Sequence, residues 1–415
     1  MGFVETMKER GLIQQVTHED ELLEHLAAQP RTAYVGFDPT AASLHVGHLL
    51  QIMSLRRWQQ AGHRVLAVVG GGTALVGDPT GKTEMRAMLT QADIARNMIG
   101  IRAQLGRFLD FSTPARGAMA NNADWLKELN YVALLREIGP HFSVNRMLSA
   151  ECFKQRWEKG LSFLEFNYMI MQSYDFLHLY RTEECTLQMG GDDQWSNILA
   201  GMELVRRLGG GGKAFGLTTP LLTTADGKKM GKTEKGAVWL DPELTSPYEY
   251  FQFWRNVEDA AVARCLAFFT ELPMSQVDEL ARLEGAQINE AKIALAFETT
   301  KLLHGEPAAN AARAAAAQLF AAAAPGSDAA SLGPELSLSR ATLGAGLLVA
   351  DFLVAAQVVP SKSEARRLIQ QGGLVIDQEK VEDMGYTITL DHFQGSGGLL
   401  VRKGKKHYFH VRISD

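Results

Sequence analysis

Short apolar runs alternate with helical stretches through roughly the first 230 residues, and that rhythm leaves few folds open. Ala33-Tyr34-Val35-Gly36-Phe37 and Val65-Leu66-Ala67-Val68-Val69 have the composition of strands buried on both faces. Glycine or Asp-Pro follows each, and amphipathic segments lie between such runs. The pattern predicts an α/β domain with a parallel sheet, whose ligand loops leave the C-terminal strand ends. From about Pro242 to Phe320 the pattern turns helical, with an alanine-rich helix over Ala308–Ala324 started by Glu306-Pro307. Pro325-Gly326-Ser327-Asp328 opens a Ser/Gly/Leu stretch that has the composition of a linker. The expected division is 1–240, 241–325, a linker at 326–345, and a compact unit at 346–415.

With 46% apolar and 21% charged residues in 415, the composition is that of a globular protein with two or three domains. The first residues lack the apolar core of a signal peptide, and no run of apolar residues is long enough to span a membrane. Met1, Gly2 and Thr6 fit a myristoylation pattern that is common by chance. Cys152, Cys185 and Cys265 lie far apart without metal-ligand spacing, so reduced thiols in a cytoplasmic protein are expected. A formal charge of −5 argues against indiscriminate nucleic-acid binding, while leaving room for a local basic patch.

His45-Val46-Gly47-His48 opens the helical run Leu49 to Trp58. Two histidines three apart at a helix start share one face, where free N–H groups and the helix dipole attract phosphate. Gly47 has no side chain to obstruct a nucleotide ring. Alone, the motif fits a metal pair or two surface histidines equally well. Asp226-Gly227-Lys228-Lys229-Met230-Gly231-Lys232-Thr233 is a turn with a glycine-hinged lysine cluster, suited to carry ammonium groups onto a leaving pyrophosphate. By itself it would be a solvated basic turn. Gly77-Asp78-Pro79-Thr80-Gly81-Lys82-Thr83 ends like a Walker A loop, but its glycines are one residue too close. Lys82 and Arg86 remain candidate phosphate ligands.

Phe163 to Tyr180 is expected to form one helix, with Tyr168, Gln172 and Asp175 on one face at i, i+4 and i+7. Polar groups aligned on so apolar a helix either satisfy other protein groups or line a polar pocket.

The histidine and lysine motifs, in this order and roughly 180 residues apart, resemble the paired signatures of class I aminoacyl-tRNA synthetases. The segments YVGFDPT, HVGH, GGTALVGDPTGKTEMR, FNYMIMQSYD, MGGDDQWSNI and GKKMGKT together resemble the bacterial tyrosyl-tRNA synthetases. The resemblance implies a Rossmann-like catalytic domain, then a helical domain and a small α+β RNA-binding domain. It implies that Tyr34 and Asp175 bind the substrate phenol, that Asp78, Tyr168 and Gln172 hold the α-ammonium group, and that Gln194 lies near the carboxylate. Asp38, Gly47 and Asp193 would face the nucleotide. Thr40, His45, His48, Lys82, Arg86, Lys229, Lys232 and Thr233 would surround the ATP phosphates. ATP would bring Mg2+ without a protein metal cage, and the partners would be tyrosine, tRNA and a second copy of the chain. Asp192 and Ser196 depart from the family pattern; Asp192 would alter ribose or metal contacts, or point to solvent. Val35 and Gln51 receive no role.

The C-terminal run SKSEARRLIQQGGLVID predicts a helix capped at Ser361 or Ser363, a turn at Gly372-Gly373 and a strand. It resembles the small RNA-binding fold shared with a small-subunit ribosomal protein, which would place Lys362, Arg366, Arg367, Arg402 and Lys403 against RNA, with Lys405 and Lys406 nearby. Nine Lys/Arg face eight Asp/Glu from Asp351 onward, so a solvated face also accounts for these charges. Three other readings stay open: a tryptophan enzyme of the same class, a nucleotidyltransferase using the histidine motif alone, and a non-catalytic RNA-binding relative.

Overall fold

The computed structural model describes the chain outside residues 1, 79, 81–88, 151, 154–159, 224–229, 234–235, 323–334, 345, 360, 378, 394–397, 405–406 and 415. Residues 232–233, 318–322, 335 and 407–408 are described by their backbone alone. The chain forms two compact units, Met1–Ala312 and Arg313–Asp415.

The first unit is built on a six-stranded sheet of order β1-β6-β5-β2-β3-β4. Its strands are β1 (Gln15–Val16), β2 (Thr32–Phe37), β3 (Arg64–Val69), β4 (Gly117–Asn121), β5 (Cys185–Gly191) and β6 (Phe215–Thr219). All neighbours are parallel except β1, which pairs antiparallel with β6 at the edge. Both expected strands are present, as β2 and β3, and their apolar side chains are buried. The order runs outward from β2 to β4 on one side and from β5 to β6 on the other. The crevice beyond the C-terminal ends of β2 and β5 is therefore the switch point where such sheets bind ligands.

Among the described residues before β4, the α-helices are α1 (Phe3–Glu9), α2 (Glu19–Ala28), α3 (Leu49–Gln60) and α4 (Gln91–Leu105). The helix expected over Phe163–Tyr180 is two pieces, Phe163–Phe166 and Tyr168–Glu183. Asn167 makes the break: its amide nitrogen donates to Phe163 O at 2.7 Å, while its backbone N–H is shared between Phe163 O and Leu164 O. Helices Pro247–Arg255, Asp259–Phe269, Met274–Ala281 and Ile288–His304 belong to this same unit, and Glu306–Ala322 crosses its boundary. Pro247 sits at the first helical position behind a Ser246/Glu249 capping box.

In the second unit, Ser361 caps helix Lys362–Gln370 through Glu364 N, and Gly372 turns the chain with φ +63° into strand Leu374–Ile376. That strand joins a five-stranded sheet with Glu379–Lys380, Leu399–Lys403, His407–Ser414 and Glu335–Ser339. The last strand differs from the linker expectation for 326–345. Leu336 and Leu338 alternate with serines, so one face packs on the core while the backbone pairs in parallel with His407–Ser414.

Two guanidinium groups, Arg57 buried and Arg10 half-buried at the C-cap of α1, join α1 and α3 to the helical part of the first unit. Arg57, in the last turn of α3, donates to Phe268 O at 2.8 Å and to Ala267 O and Thr270 O at 3.3 Å. Arg10 donates to Ala267 O, Thr270 O and Leu272 O at 2.9, 3.2 and 2.6 Å. These carbonyls end helix Asp259–Phe269, where helical partners are lacking and the dipole is negative. Burial, reinforced by the Arg10 charge, pulls the Arg57 pKa down to about 9, which still leaves it charged at neutral pH. Arg57→Met keeps the apolar stem but orphans carbonyls, and should lower unfolding free energy by about 3 kcal/mol in urea titrations. An unchanged midpoint and slope would show that the clamp contributes nothing.

Candidate active site

A cavity of about 590 Å³ opens at the switch point. Its lining includes Tyr34, Asp38, Thr40, His45, Gly47, His48, Asp78, Tyr168, Gln172, Asp175, Asp193 and Gln194, residues that sequence reasoning had placed at one site. Val35 and Gln51 also line it. Lys82, Arg86 and Lys229 lie outside the described residues, as do the side chains of Lys232 and Thr233. A second, more open concavity of about 540 Å³ surrounds Arg56, Arg107, Arg116 and Asp110. Its arginines are engaged: Arg56 with Glu271 and Phe108 O, Arg107 with Leu303 O, and Arg116 with Asp110.

His45 caps a single turn, Val46–His48, that runs directly into α3. Its Nδ1 accepts the Gly47 N–H at 3.0 Å, and His48 Nδ1 accepts the His45 N–H at 3.1 Å. An accepting Nδ1 puts the proton of a neutral ring on Nε2, so both rings present a donor edge. The two rings lie 4.1 Å apart and line the cavity together. Gly47 is required by the turn itself: a Cβ there would sit 2.7 Å from the His45 ring.

The backbone around Gly231 is stitched to this turn. Val238 N–H donates to Gly231 O, Val46 N–H to Val238 O, and Leu240 N–H to Leu44 O, each at 2.9 Å. Gly231 has φ +93°, and a Cβ on it would lie 3.0 Å from Gly47 N. The two motifs, far apart in sequence, are thus adjacent.

At the other end of the cavity lies Asp175, 4% exposed. Its two oxygens accept from Asn122 Nδ2 at 2.9 Å and Trp125 Nε1 at 2.7 Å. Burial raises its pKa to about 7 although both donors oppose the rise. Tyr34 is buried opposite; burial and then the Asp175 charge push its phenol well above the ordinary value. Tyr34 Oη, Gln172 Oε1 and Gln188 Oε1 are buried with no hydrogen-bond partner among the described residues. Orphaned polar atoms are costly, and several around one cavity mark a place built for a polar ligand.

Asn122, Trp125 and Gln188 were not singled out in the sequence. Gln188 did carry a signal: it is the one amide in Cys185–Gly191, a strand buried along its whole length. Asn122 and Trp125 carried none, because their partner Asp175 is some 50 residues away. Asn122 also donates to Thr73 Oγ1 and accepts from Gly72 N, which ties the loop after β3 to the same point.

Asp78 accepts from Thr80 N at 2.9 Å and from Gln194 Nε2 at 3.1 Å, and Asn197 holds the Gln194 oxygen. Asp192 is half-buried beside Asp193. It accepts from Gln15 Nε2 at 2.6 Å and Thr218 Oγ1 at 3.1 Å, fastening edge strand β1 to β6. In the second unit Lys362 pairs with Asp351 and Lys403 with Glu364, each at 2.5 Å, while Arg366 and Arg367 are exposed. Arg402 is part-buried, and its Nε has no partner among the described residues. No group of three or more His, Cys, Asp or Glu among the described residues is arranged to hold a metal.

Comparison with known proteins agrees with this geometry. The family model for class I tRNA synthetases (W and Y) matches residues 27–321, and that for the SYY-like C-terminal domain of tyrosine–tRNA ligases matches 337–411. The tyrosine–tRNA ligase of Clostridium botulinum (strain Hall) is 55% identical over 409 residues, covering 98% of each chain. That of Clostridium kluyveri is 55% identical over 405 residues, again covering 98% of each. A C-terminally truncated mitochondrial tyrosyl-tRNA synthetase from Aspergillus nidulans superposes with TM-score 0.68 at 32% identity, over 77% of this chain and 94% of its own. The Archaeoglobus fulgidus enzyme, solved with L-tyrosine, shares the fold at TM-score 0.57 and 20% identity, over 75% of this chain and 99% of its own. These relatives are tyrosine enzymes throughout, which removes the tryptophan, nucleotidyltransferase and non-catalytic readings. The chain belongs to the class I tRNA synthetases and, within them, to the tyrosyl-tRNA synthetases, the tyrosine–tRNA ligases.

Proposed function

We propose a division of labour within the cavity that follows its two chemically distinct ends. Tyr34 and Asp175 take the phenol hydroxyl of tyrosine. Asp78, Tyr168 and Gln172 hold its ammonium group, with Gln194 beside the carboxylate. Asp38, Gly47 and Asp193 face the nucleoside of ATP, and Thr40, His45 and His48 face its phosphates, with Lys82, Arg86, Lys229, Lys232 and Thr233 completing the cationic surround. The observation that carries this reading is the buried Tyr34 hydroxyl, without a protein partner among the described residues, beside a carboxylate held by two N–H donors.

The tyrosine carboxylate attacks the α-phosphate of ATP and pyrophosphate leaves; the tyrosyl group then passes to the terminal ribose of tRNA. Alignment and charge stabilisation suffice for the first step, so no protein nucleophile is needed. The Nε2–H edges of His45 and His48 donate to oxygens that gain charge as the bond to pyrophosphate breaks. Mg2+ enters with ATP as part of the substrate, coordinated chiefly by phosphates and water. Lys362, Arg366, Arg367, Arg402 and Lys403 bind the tRNA backbone. The ion pair of Lys362 is largely exposed and that of Lys403 part-buried, and phosphate can replace the carboxylate in either without leaving the ammonium unpaired.

The same reading extends to domain roles, assembly and location. Residues 1–240 carry the chemistry, 241–325 support it, and the C-terminal residues hold RNA, in a cytoplasmic enzyme. Among the described residues no helix is long and apolar enough to cross a membrane. Tyr131, Val132, Leu135, Val144 and Phe163 expose between 49% and 70% of their surface, an apolar set that a second copy would cover. Sedimentation should show a dimer at micromolar concentration, and Val132→Glu should shift it toward monomer. A wild-type monomer would overturn that assignment.

Two measurements test the phenol site. In amino-acid-dependent pyrophosphate exchange, tyrosine should support activity and tryptophan should not. Tyr34→Phe should then narrow the tyrosine-over-phenylalanine ratio of kcat/KM by about tenfold, the worth of one buried hydrogen bond. An unchanged ratio counts against Tyr34. The Asp175 pKa of about 7 sets the second. The phenol donates to the ionised carboxylate, so tyrosine affinity should weaken as pH falls through 7, approaching tenfold per pH unit below it. Phenylalanine binding should stay flat, and an equally flat tyrosine profile from pH 5.5 to 8.5 would refute the role of Asp175.

A further inference from the structure

The segment between β2 and the His45 turn carries Asp38, Thr40 and His45 into the cavity, yet residues 38–44 form only bends. Something outside the cavity must fix it. Backbone 238–241 holds its C-terminal end, and α4, whose start is set by a Thr90/Asp93 capping box, spans its whole length. Asn97, Gly100 and Gln104 fall on one face of α4, three and four residues apart. Asn97 Nδ2 donates to Pro39 O at 2.9 Å, and Gln104 Oε1 accepts from Leu44 N at 2.7 Å. Both side chains are buried, at 6% and 4% exposure. Between them Gly100 touches the loop backbone so closely that a Cβ would lie 2.1 Å from Ala42 O. None of the three lines the cavity.

The amide orientations follow from the partners. A carbonyl can only accept, so Asn97 must present its nitrogen; a backbone N–H can only donate, so Gln104 must present its oxygen. Packing alone does not call for these residues, because Ile94, Ile101 and Leu105 already bury α4. The two amides satisfy Pro39 O and Leu44 N, while Leu240 N–H and Asp241 N–H reach Leu44 O and Ser43 Oγ from the other side, and Gly100 sets the distance of the loop from the helix. The loop cannot shift as a body without breaking two buried hydrogen bonds.

We infer that Asn97, Gly100 and Gln104 are positioning residues for adenylate formation, holding loop 39–44 so that Thr40 and His45 meet the phosphates. Transition-state stabilisation depends on donors fixed before the reaction, so sub-ångström displacement of this loop is costly in rate. The inference rests on the reading that Thr40 and His45 face ATP.

The test is single-turnover adenylate formation at saturating tyrosine and ATP, with tyrosine affinity and thermal melting measured beside it. Gly100→Ala gains helix propensity against the clash with Ala42 O, so melting should fall by no more than a few degrees while the loop is pushed away. Its rate should fall at least tenfold with tyrosine affinity within twofold of wild type. The amide-to-acid pair sharpens the point, since both changes are nearly isosteric. Gln104→Glu keeps the acceptor and should retain more activity than Gln104→Leu. Asn97→Asp loses the donor and should be as slow as Asn97→Leu. Wild-type rates in Gly100→Ala and Asn97→Asp would overturn the inference, and so would parallel loss of tyrosine affinity and rate. His45→Ala separates the two levels: if it is slow while the α4 variants are not, only the clamp fails. If His45→Ala is itself unimpaired, the phosphate reading fails and the inference falls with it.

Discussion

A carboxylate buried at 4% exposure is an expensive thing to place in a protein, and the site is organised around holding one at Asp175. Both its oxygens receive N–H donors, yet burial still lifts its pKa to about 7. The donors come from Asn122, just past β4, and from Trp125 in the short helix Ala123–Leu126, the carboxylate from helix Tyr168–Glu183, and the facing hydroxyl from the middle of β2. Trp125 is itself fixed by stacking on His178, 4.5 Å away and three residues beyond Asp175. Asn122 ties the loop after β3 to the same centre. Strand spacing therefore decides whether this carboxylate keeps its donors. A small shift of β4 against β2 would leave a charge unsupported in a low-dielectric pocket.

The end of the cavity around His45 works on a different principle. Backbone geometry shapes it, with glycines marking the closest approaches. Gly47 admits the folded-back His45 ring, and Gly231 admits the His45 turn to the backbone of the lysine motif. Two backbone hydrogen bonds then register residues 44–46 against 238–240, and a third joins Val238 to Gly231. The histidine rings gain a defined tautomer from the same turn that starts α3, so one local structure caps a helix and aims two donors. At the far end of α3, Arg57 grips helix Asp259–Phe269, so the helix that begins in the cavity ends in the helical core.

Much of this was legible in the chain. β2 and β3 announce themselves through unbroken apolar runs, and helix Tyr168–Glu183 through the shared face of Tyr168, Gln172 and Asp175. The paired histidine and lysine motifs indicated nucleotide chemistry before any coordinates. The break at Asn167 was not visible, because an asparagine inside an apolar helical pattern announces no stop until its amide is seen to compete for Phe163 O. Strand Glu335–Ser339 was concealed by a serine- and glycine-rich context, its alternation being too short to outweigh composition.

Sequence by itself determined what depends on local order: where strands and helices run, which residues share a helix face, and which motifs accompany one another. Tertiary structure alone decided which distant groups meet. Asn122 and Trp125 reach Asp175, Gln15 reaches Asp192, and Asn97 reaches Pro39 across separations that no periodicity encodes. The physical reason is that a hydrogen bond is defined by about 3 Å and an angle, and those exist only once the sheet has set the spacing of its strands.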